Sequence, residues 1–289
     1  VSDSSPASIP SAATVIVLRD GPGRLEVFIM RRHEATAFMG GAWVFPGGRV
    51  DAADRGSADA SWCDGLERVN LTGIASADAA GFYVAAAREL FEEAGVLLAR
   101  DATGAFVSIA GDAAQVRFRR HRTAVHRTER TLREVVEGER LRLALDALVP
   151  YAHWITPPID KRRFDTRFFA ARVPPAQTPA PDAAETTHSI WTTAADALAR
   201  ARRDEILLPP PTWTTLRELE RFASVNELLA WAARRRIVPR QPQYLEREGQ
   251  RMMVLPGDPL RPDLEGDEPP VETRFVFSGG RWRAERPPA

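Results

Sequence analysis

Apolar and β-branched residues form two short runs, 13–18 and 25–30. Between them lies the polar, turn-rich stretch Arg19-Asp20-Gly21-Pro22-Gly23-Arg24. This pattern predicts two strands joined as a hairpin. Trp43 to Phe45 reads as a third short strand, stopped by Pro46-Gly47-Gly48. Residues 49–77 show no clear period and predict a long loop with one helical turn at most, a length that in a compact domain usually carries function. Residues 79–94 are rich in Ala, Leu and Glu and are followed by Gly95, which predicts the clearest helix of the chain and its stop. Residues 112–147 are charged and periodic enough for two or three helices. Strands are expected over 148–155 and 164–173, split by the turn Pro157-Pro158-Ile159-Asp160. A proline-rich loop follows (174–181), then a strand at 189–191 and helices over 193–202, from Pro209 to about 222, and over 225–235. The last fifty residues carry β-like pieces at 251–255 and 273–282, the latter folded at Gly279-Gly280.

Composition narrows what such a chain does. With 44% hydrophobic residues in 289, a sizeable core can form. Thirty-nine basic residues balance thirty-nine acidic ones, which argues against a nucleic-acid partner held by bulk positive charge. Lys161 is the sole lysine, so arginine supplies nearly all the positive charge. Cys63 is the only cysteine, which excludes an intrachain disulfide and a thiolate-rich zinc site. No stretch approaches the roughly 18 apolar residues that cross a bilayer. Residues 1–11 read as a flexible Ser/Pro/Ala arm, not a secretion signal, and the chain ends Pro287-Pro288-Ala289 without a peroxisomal Ser-Lys-Leu address. A cytoplasmic protein without a membrane partner is the expectation.

The chemistry concentrates in the helix over 79–94. Glu89, Glu92 and Glu93 stand at i, i+3 and i+4 and share one face. Three carboxylates within one turn repel one another unless a cation sits among them, and a hard divalent ion such as Mg²⁺ or Mn²⁺ suits oxygen ligands. Arg88 is placed to reach back to a carboxylate and hold it. Alone, such a cluster reads as a solvated acidic face. The strand Trp43-Val44-Phe45 running into Pro46-Gly47-Gly48 changes that, because glycines there let backbone approach a ligand closely and free a carbonyl for a metal.

Together, Phe45-Pro46-Gly47-Gly48 and Arg88-Glu89-Leu90-Phe91-Glu92-Glu93-Ala94-Gly95-Val96 resemble the two halves of the Nudix box. The second half matches at every fixed position. The first half departs from the pattern: Asp54 stands where the family has a Glu after Gly48, and Ala80 stands eight before Arg88. The box is therefore split by an insertion, roughly residues 55–79. That split, with Trp154-Ile155-Thr156-Pro157 and Arg162-Arg163-Phe164-Asp165-Thr166-Arg167-Phe168-Phe169, resembles the Nudix subgroup that includes the acyl-coenzyme A diphosphatases of mammalian peroxisomes. The resemblance implies an α/β fold, the Nudix α/β/α sandwich with a mixed sheet, over 12–238. Residues 1–11 would be an arm, the helical insert would fall at about 112–147, and 239–289 would be a β-containing extension.

The resemblance also implies a mechanism and a site. Carboxylates hold Mg²⁺ or Mn²⁺ against a diphosphate, and water attacks phosphorus in line. Glu92 and Glu93 are the implied metal ligands, Glu89 a ligand or base, and Gly48 a carbonyl ligand. Asp54 is the candidate to replace the missing Glu. Glu185, six residues before Trp191, is the candidate for the further acid many relatives use; a surface acid is an equal reading. Arg31, Arg32, Arg162 and Arg163 are candidates for phosphate contacts, since guanidinium forks suit phosphate, although each alone reads more readily as solvated charge. Trp43 and Trp154 offer faces for adenine, with a core role the more common use. His33, His121, His126, His153 and His188 show no metal spacing. The expected substrate is a nucleotide derivative of the coenzyme A kind. NADH, ADP-ribose or dinucleoside polyphosphates are alternatives, as is a non-catalytic nucleotide sensor. Homodimers are frequent in the family, and that option stays open.

Overall fold

The computed structural model describes residues 9–34, 40–182, 186–262 and 270–287. The hairpin expected near the N-terminus forms from β1 (Ser11–Asp20) and β2 (Leu25–Arg32), in antiparallel register at Leu18 and Val27. The two strands then diverge. β3 (Trp43–Val44) pairs with β2, while β4 (Gly47–Arg49) pairs with β1, so the segment 43–49 wedges into the fork. The Gly-Gly pair expected to end a strand is thus itself a strand. The reason is steric: a Cβ on Gly47 would lie 2.5 Å from the Ala13 carbonyl oxygen, so only glycine lets β4 approach β1 here.

The region read as an unstructured loop is partly ordered. β5 (Cys63–Asp64) and a 3₁₀ turn at Leu66–Arg68 precede the long helix α1 (Ser76–Ala94), which is followed by β6 (Ala99–Arg100). Next come α2 (Asp112–His126) and α3 (Leu132–Gly138), the latter opened by a Thr131/Glu134 capping box. These are the helices expected over 112–147, and the remainder of that stretch holds one short strand and a 3₁₀ turn. β7 (Arg142–Ala144) joins β5 and β6 in a three-stranded sheet, and Leu145–Ala147 form a 3₁₀ turn. Leu141, Leu143, Ala144 and Leu145 are buried, while Arg142 is half-buried with its guanidinium toward the insertion. Arg142 donates to the carbonyls of Ala60, Ser61 and Cys63, which ties the insertion to this strand.

β8 (Val149–Ile155) and β9 (Asp165–Arg172) form an antiparallel pair, and β9 runs parallel to β1. β10 (Thr186–Thr192) closes the other edge on β2. Then follow α4 (Ala194–Arg202), α5 (Pro210–Leu219), α6 (Val225–Ala232) and β11 (Pro239–Arg240), the last parallel to β8. Among the described residues the main sheet runs β10-β2-β1-β9-β8-β11, with β3 and β4 attached.

Alternate residues of each central strand serve opposite layers. Val15, Val17, Phe28, Met30 and Phe169 pack with α1, α2 and α3; Ile16, Leu18, Ile29, Phe168 and Ala170 pack with α4, α5 and α6. This is the expected α/β/α sandwich. The C-terminal residues build a second sheet, β12 (Gln243–Arg247), β13 (Gln250–Val254), β14 (Arg274–Ser278) and β15 (Arg281–Glu285), in that order. The two β-like pieces and the Gly279-Gly280 turn were legible, whereas β12 was not. Met253, Leu255 and Phe275 insert into the α4–α6 core, so this sheet thickens the back layer.

Candidate active site

α1 brings the acids to the sheet. Leu90 and Phe91 are fully buried on one side of its last turns, and burying each stabilises by roughly 1.5–3 kcal/mol. Gly95 (φ 68°) ends the helix in the left-handed conformation, its N–H donating to the Phe91 carbonyl. Anchored in this way, Glu89, Glu92 and Glu93 project toward β4. The Gly47 N–H donates to Glu93 Oε2 at 2.7 Å. Gly48 lies so close to Glu89 that a Cβ would stand 2.6 Å from Glu89 Oε1. Gly47 is required by the β1 backbone, whereas a side chain at Gly48 would have to displace the Glu89 carboxylate.

Arg88 is the hub. Its Nε donates to Asp54 Oδ1 (3.0 Å), Nη1 to Glu89 Oε1 (2.9 Å) and Glu92 Oε1 (2.8 Å), and Nη2 to Asp54 Oδ2 (2.9 Å) and the Arg49 carbonyl (2.8 Å). All five guanidinium N–H groups are used. Asp54, standing where the family pattern has Glu, is 2% exposed and also accepts from the Asp51 N–H. It grips Arg88 from the insertion side. Asp54→Asn should therefore loosen Arg88 and lower kcat about 10-fold or more, the usual cost of losing a group that orients a ligand. Steady-state kinetics check this, and a kcat equal to that of the parent chain would remove Asp54 from the site.

The electrostatics point the same way. Burial pushes the Glu89 carboxyl up to about 7, against the pull of Arg88 and with the help of Glu92 and Asp54. Burial by itself would lower Arg88, but the Asp54 hydrogen bonds and the Glu89 charge raise it overall. Four carboxylates, Asp54, Glu89, Glu92 and Glu93, thus meet here with Arg88 as the central cation. Among the described residues no three His, Cys, Asp or Glu side chains form a ready-made metal cage. Arg88 holds one oxygen each of Glu89 and Glu92, and the Gly47 N–H holds one of Glu93. The donor set nevertheless fits a divalent cation: all are hard oxygens, negative charge is in excess, and Glu89 sits desolvated with its proton affinity raised.

The other expected residues divide. Glu185 lies outside the described residues. Arg31 is paired with Glu34 at 2.6 Å in an exposed ion pair. Arg32 is half-buried at the end of β2, with its Nε buried and without a hydrogen bond among the described residues. Arg163 donates from Nε to the Thr156 carbonyl (3.1 Å) and staples the β8–β9 turn, while Arg162 on the same turn is exposed. Trp43, expected to offer a stacking face, is 8% exposed; it packs in the α4–α6 core with Arg200 over its ring. β3 is pinned there by a hydrogen bond from the Trp43 N–H to the Leu207 carbonyl. Trp154 is likewise buried.

Two of the histidines without metal spacing pair with carboxylates away from the acid cluster. His153 bonds Asp165 (2.7 Å) and His121 bonds Glu139 (2.9 Å). His126 differs: from α2, its Nδ1 lies 3.7 Å from Glu92 Oε2. Arg122, one turn earlier, donates from Nε to the Glu92 carbonyl at 2.7 Å. Arg122 was not singled out in the sequence, and His126 was named there only as lacking metal spacing. The available signal was their i, i+4 spacing on one face of the inserted helix.

Residues 67–221 match the NUDT19 Nudix domain, and the chain belongs to that family of Nudix diphosphatases. It is similar to the acyl-coenzyme A diphosphatase NUDT19 of Xenopus laevis, with 27% identity over 303 residues, 89% of this chain and 79% of that protein. The human protein of the same name is 32% identical over 239 residues, 70% of this chain and 62% of the relative. Among solved structures, a Nudix hydrolase from Alicyclobacillus acidocaldarius superposes with a TM-score of 0.65 at 27% identity, covering 78% of this chain and 97% of that one.

Proposed function

We propose that this chain hydrolyses the diphosphate of coenzyme A or an acyl-coenzyme A, giving adenosine 3′,5′-bisphosphate and phosphopantetheine or its acyl form. The carrying observation is the Arg88-centred cluster of Glu89, Glu92 and Asp54, set against the Gly47-Gly48 strand with Glu93. The acyl-coenzyme A diphosphatase activity for which the NUDT19 relatives are named supports coenzyme A as the substrate. Glu89, Glu92, Glu93 and the Gly48 carbonyl would hold Mg²⁺ or Mn²⁺, with Glu185 as the further acid. Such an ion supplies Lewis acidity toward the diphosphate oxygens and the attacking water.

The chain's own groups do the rest. Arg88 fixes one oxygen each of Glu89 and Glu92 and so sets the direction of their other oxygens. Glu89 acts as ligand or accepts the proton of the attacking water. Water oxygen bonds to phosphorus as the bridging P–O bond breaks in line, and the bridging oxygen leaves with one phosphate ester. Arg162, exposed on the β8–β9 turn, is our candidate partner for the 3′-phosphate.

The test is a substrate panel of coenzyme A, acetyl-coenzyme A, NADH and ADP-ribose with Mg²⁺ or Mn²⁺, with products resolved by chromatography. Adenosine 3′,5′-bisphosphate is the expected product, and EDTA should abolish its formation. If coenzyme A and its thioester stay intact while NADH or ADP-ribose is cleaved, the substrate assignment is wrong.

A further inference from the structure

The C-terminal end of α1 has the wrong charge for a helix end. Aligned peptide dipoles leave the last carbonyls partly negative, and a basic side chain normally sits there. α1 instead ends Glu92-Glu93-Ala94 and has no basic residue in its last turn. Its final carbonyls also have no N–H partner within the helix. Two destabilising features therefore fall on the very residues expected to hold the cation.

The inserted helix α2 supplies what α1 lacks. Phe118 and Val125 bury α2 in the same core as α1. This seats Arg122 over the helix end, where its Nε donates to the Glu92 carbonyl at 2.7 Å. Its guanidinium reaches a second backbone carbonyl, that of Pro181, from Nη1 at 3.5 Å. Burial pulls Arg122 below the usual arginine range, and the charges of Asp182, Glu93 and Glu92 oppose that pull. Gly95 lies beside the cap: a Cβ there would stand 3.1 Å from Arg122 Nη1. His126, four residues on, brings Nδ1 to 3.7 Å from Glu92 Oε2.

We propose that Arg122 is a positioning residue for the diphosphatase site, a cationic cap delivered from the inserted helix that holds Glu92 and Glu93 in place for the divalent ion. It touches the backbone of the acid-bearing turn and is not assigned a contact with substrate. The proposal rests on the metal-dependent reading above, and its test separates the two.

Arg122→Met keeps much of the packing stem and removes the charge; Arg122→Lys keeps a cation but loses the guanidinium fork. Each variant is first confirmed as folded by circular dichroism. Mn²⁺ binding without substrate is then measured by electron paramagnetic resonance, alongside kcat and KM for coenzyme A. In Arg122→Met, Mn²⁺ affinity and kcat are each expected to fall about 10- to 100-fold, the usual range for a lost supporting group, with KM little changed. Arg122→Lys should recover most of the Mn²⁺ affinity. A folded Arg122→Met variant with parental Mn²⁺ affinity and kcat overturns the proposal. So does a variant that loses only thermal stability, which marks a purely structural arginine. If Arg122→Met does not fold, Arg122→Lys decides: parental Mn²⁺ affinity supports a cationic cap, and loss as deep as that in an Asp54→Asn control overturns it. A parent chain that binds no Mn²⁺ fails the metal reading itself, and hydrogen exchange at residues 92–97 then reads the cap directly, faster exchange in Arg122→Met supporting it and unchanged exchange overturning it.

Discussion

Glu93→Gln is expected to lower turnover on the order of 10³-fold while the protein stays folded, because a metal-clamped transition state depends on several kcal/mol of charge stabilisation and each 1.36 kcal/mol is tenfold. The amide is close in shape to the carboxylate and keeps an oxygen to accept the Gly47 N–H, so the tie between α1 and β4 survives. What goes is the negative charge. The exchange thus separates charge from shape at the one acid bonded to the glycine strand. Steady-state kinetics with Mg²⁺ and with Mn²⁺, beside a thermal melt, decide the matter. An unchanged kcat in a folded variant would remove Glu93 from the metal site, and a lost fold would show the Gly47 tie to be more sensitive than its geometry implies.

The acids of α1 were legible because helical periodicity alone places positions 89, 92 and 93 together and Gly95 marks the stop. The place of Asp54 was legible from its spacing after Gly48, but its grip on Arg88 was not, since it spans 34 residues of chain. The places of Arg122 and His126 beside Glu92 were invisible for the same reason: they follow only because α2 lies across the end of α1. The short strands β5, β6 and β7 escaped because two or three residues show no period. The leucine alternation at 141–145 was masked by the charged helical stretch before it. Trp43 was open between a stacking face and the more common core role. A tryptophan beside the Gly-Gly turn suggests a stacking surface, yet β3 turns its ring inward to the α4–α6 core. Local chemistry survives in sequence at helical spacing, whereas partners brought across the sheet or from the insertion depend on the fold.

The second large effect concerns stability. Arg88→Met is expected to cost about 3–5 kcal/mol, the usual loss when one partner of a buried ionic network is removed and the remaining charges stay uncompensated. Arg88 is 11% exposed at its side chain; Asp54 is 3%, Glu89 12% and Glu92 11%. None of these acids gains much from solvent when the cation goes. Against a typical total of 5–15 kcal/mol, the loss takes a large share of the stability. Urea denaturation of parent and variant measures it, and a difference below about 1 kcal/mol, the range of solvent-exposed pairs, would show the network to be surface-like. Mg²⁺ should raise the melting temperature of Arg88→Met more than that of the parent, because a ligand that binds only the folded state stabilises it and the variant leaves its carboxylates bare. The double change Asp54→Asn with Arg88→Met should cost less than the two single changes together, since contacting residues share one interaction and removing both leaves fewer unpaired charges. Strict additivity would mean that Asp54 and Arg88 act separately, against the paired hydrogen bonds that join them.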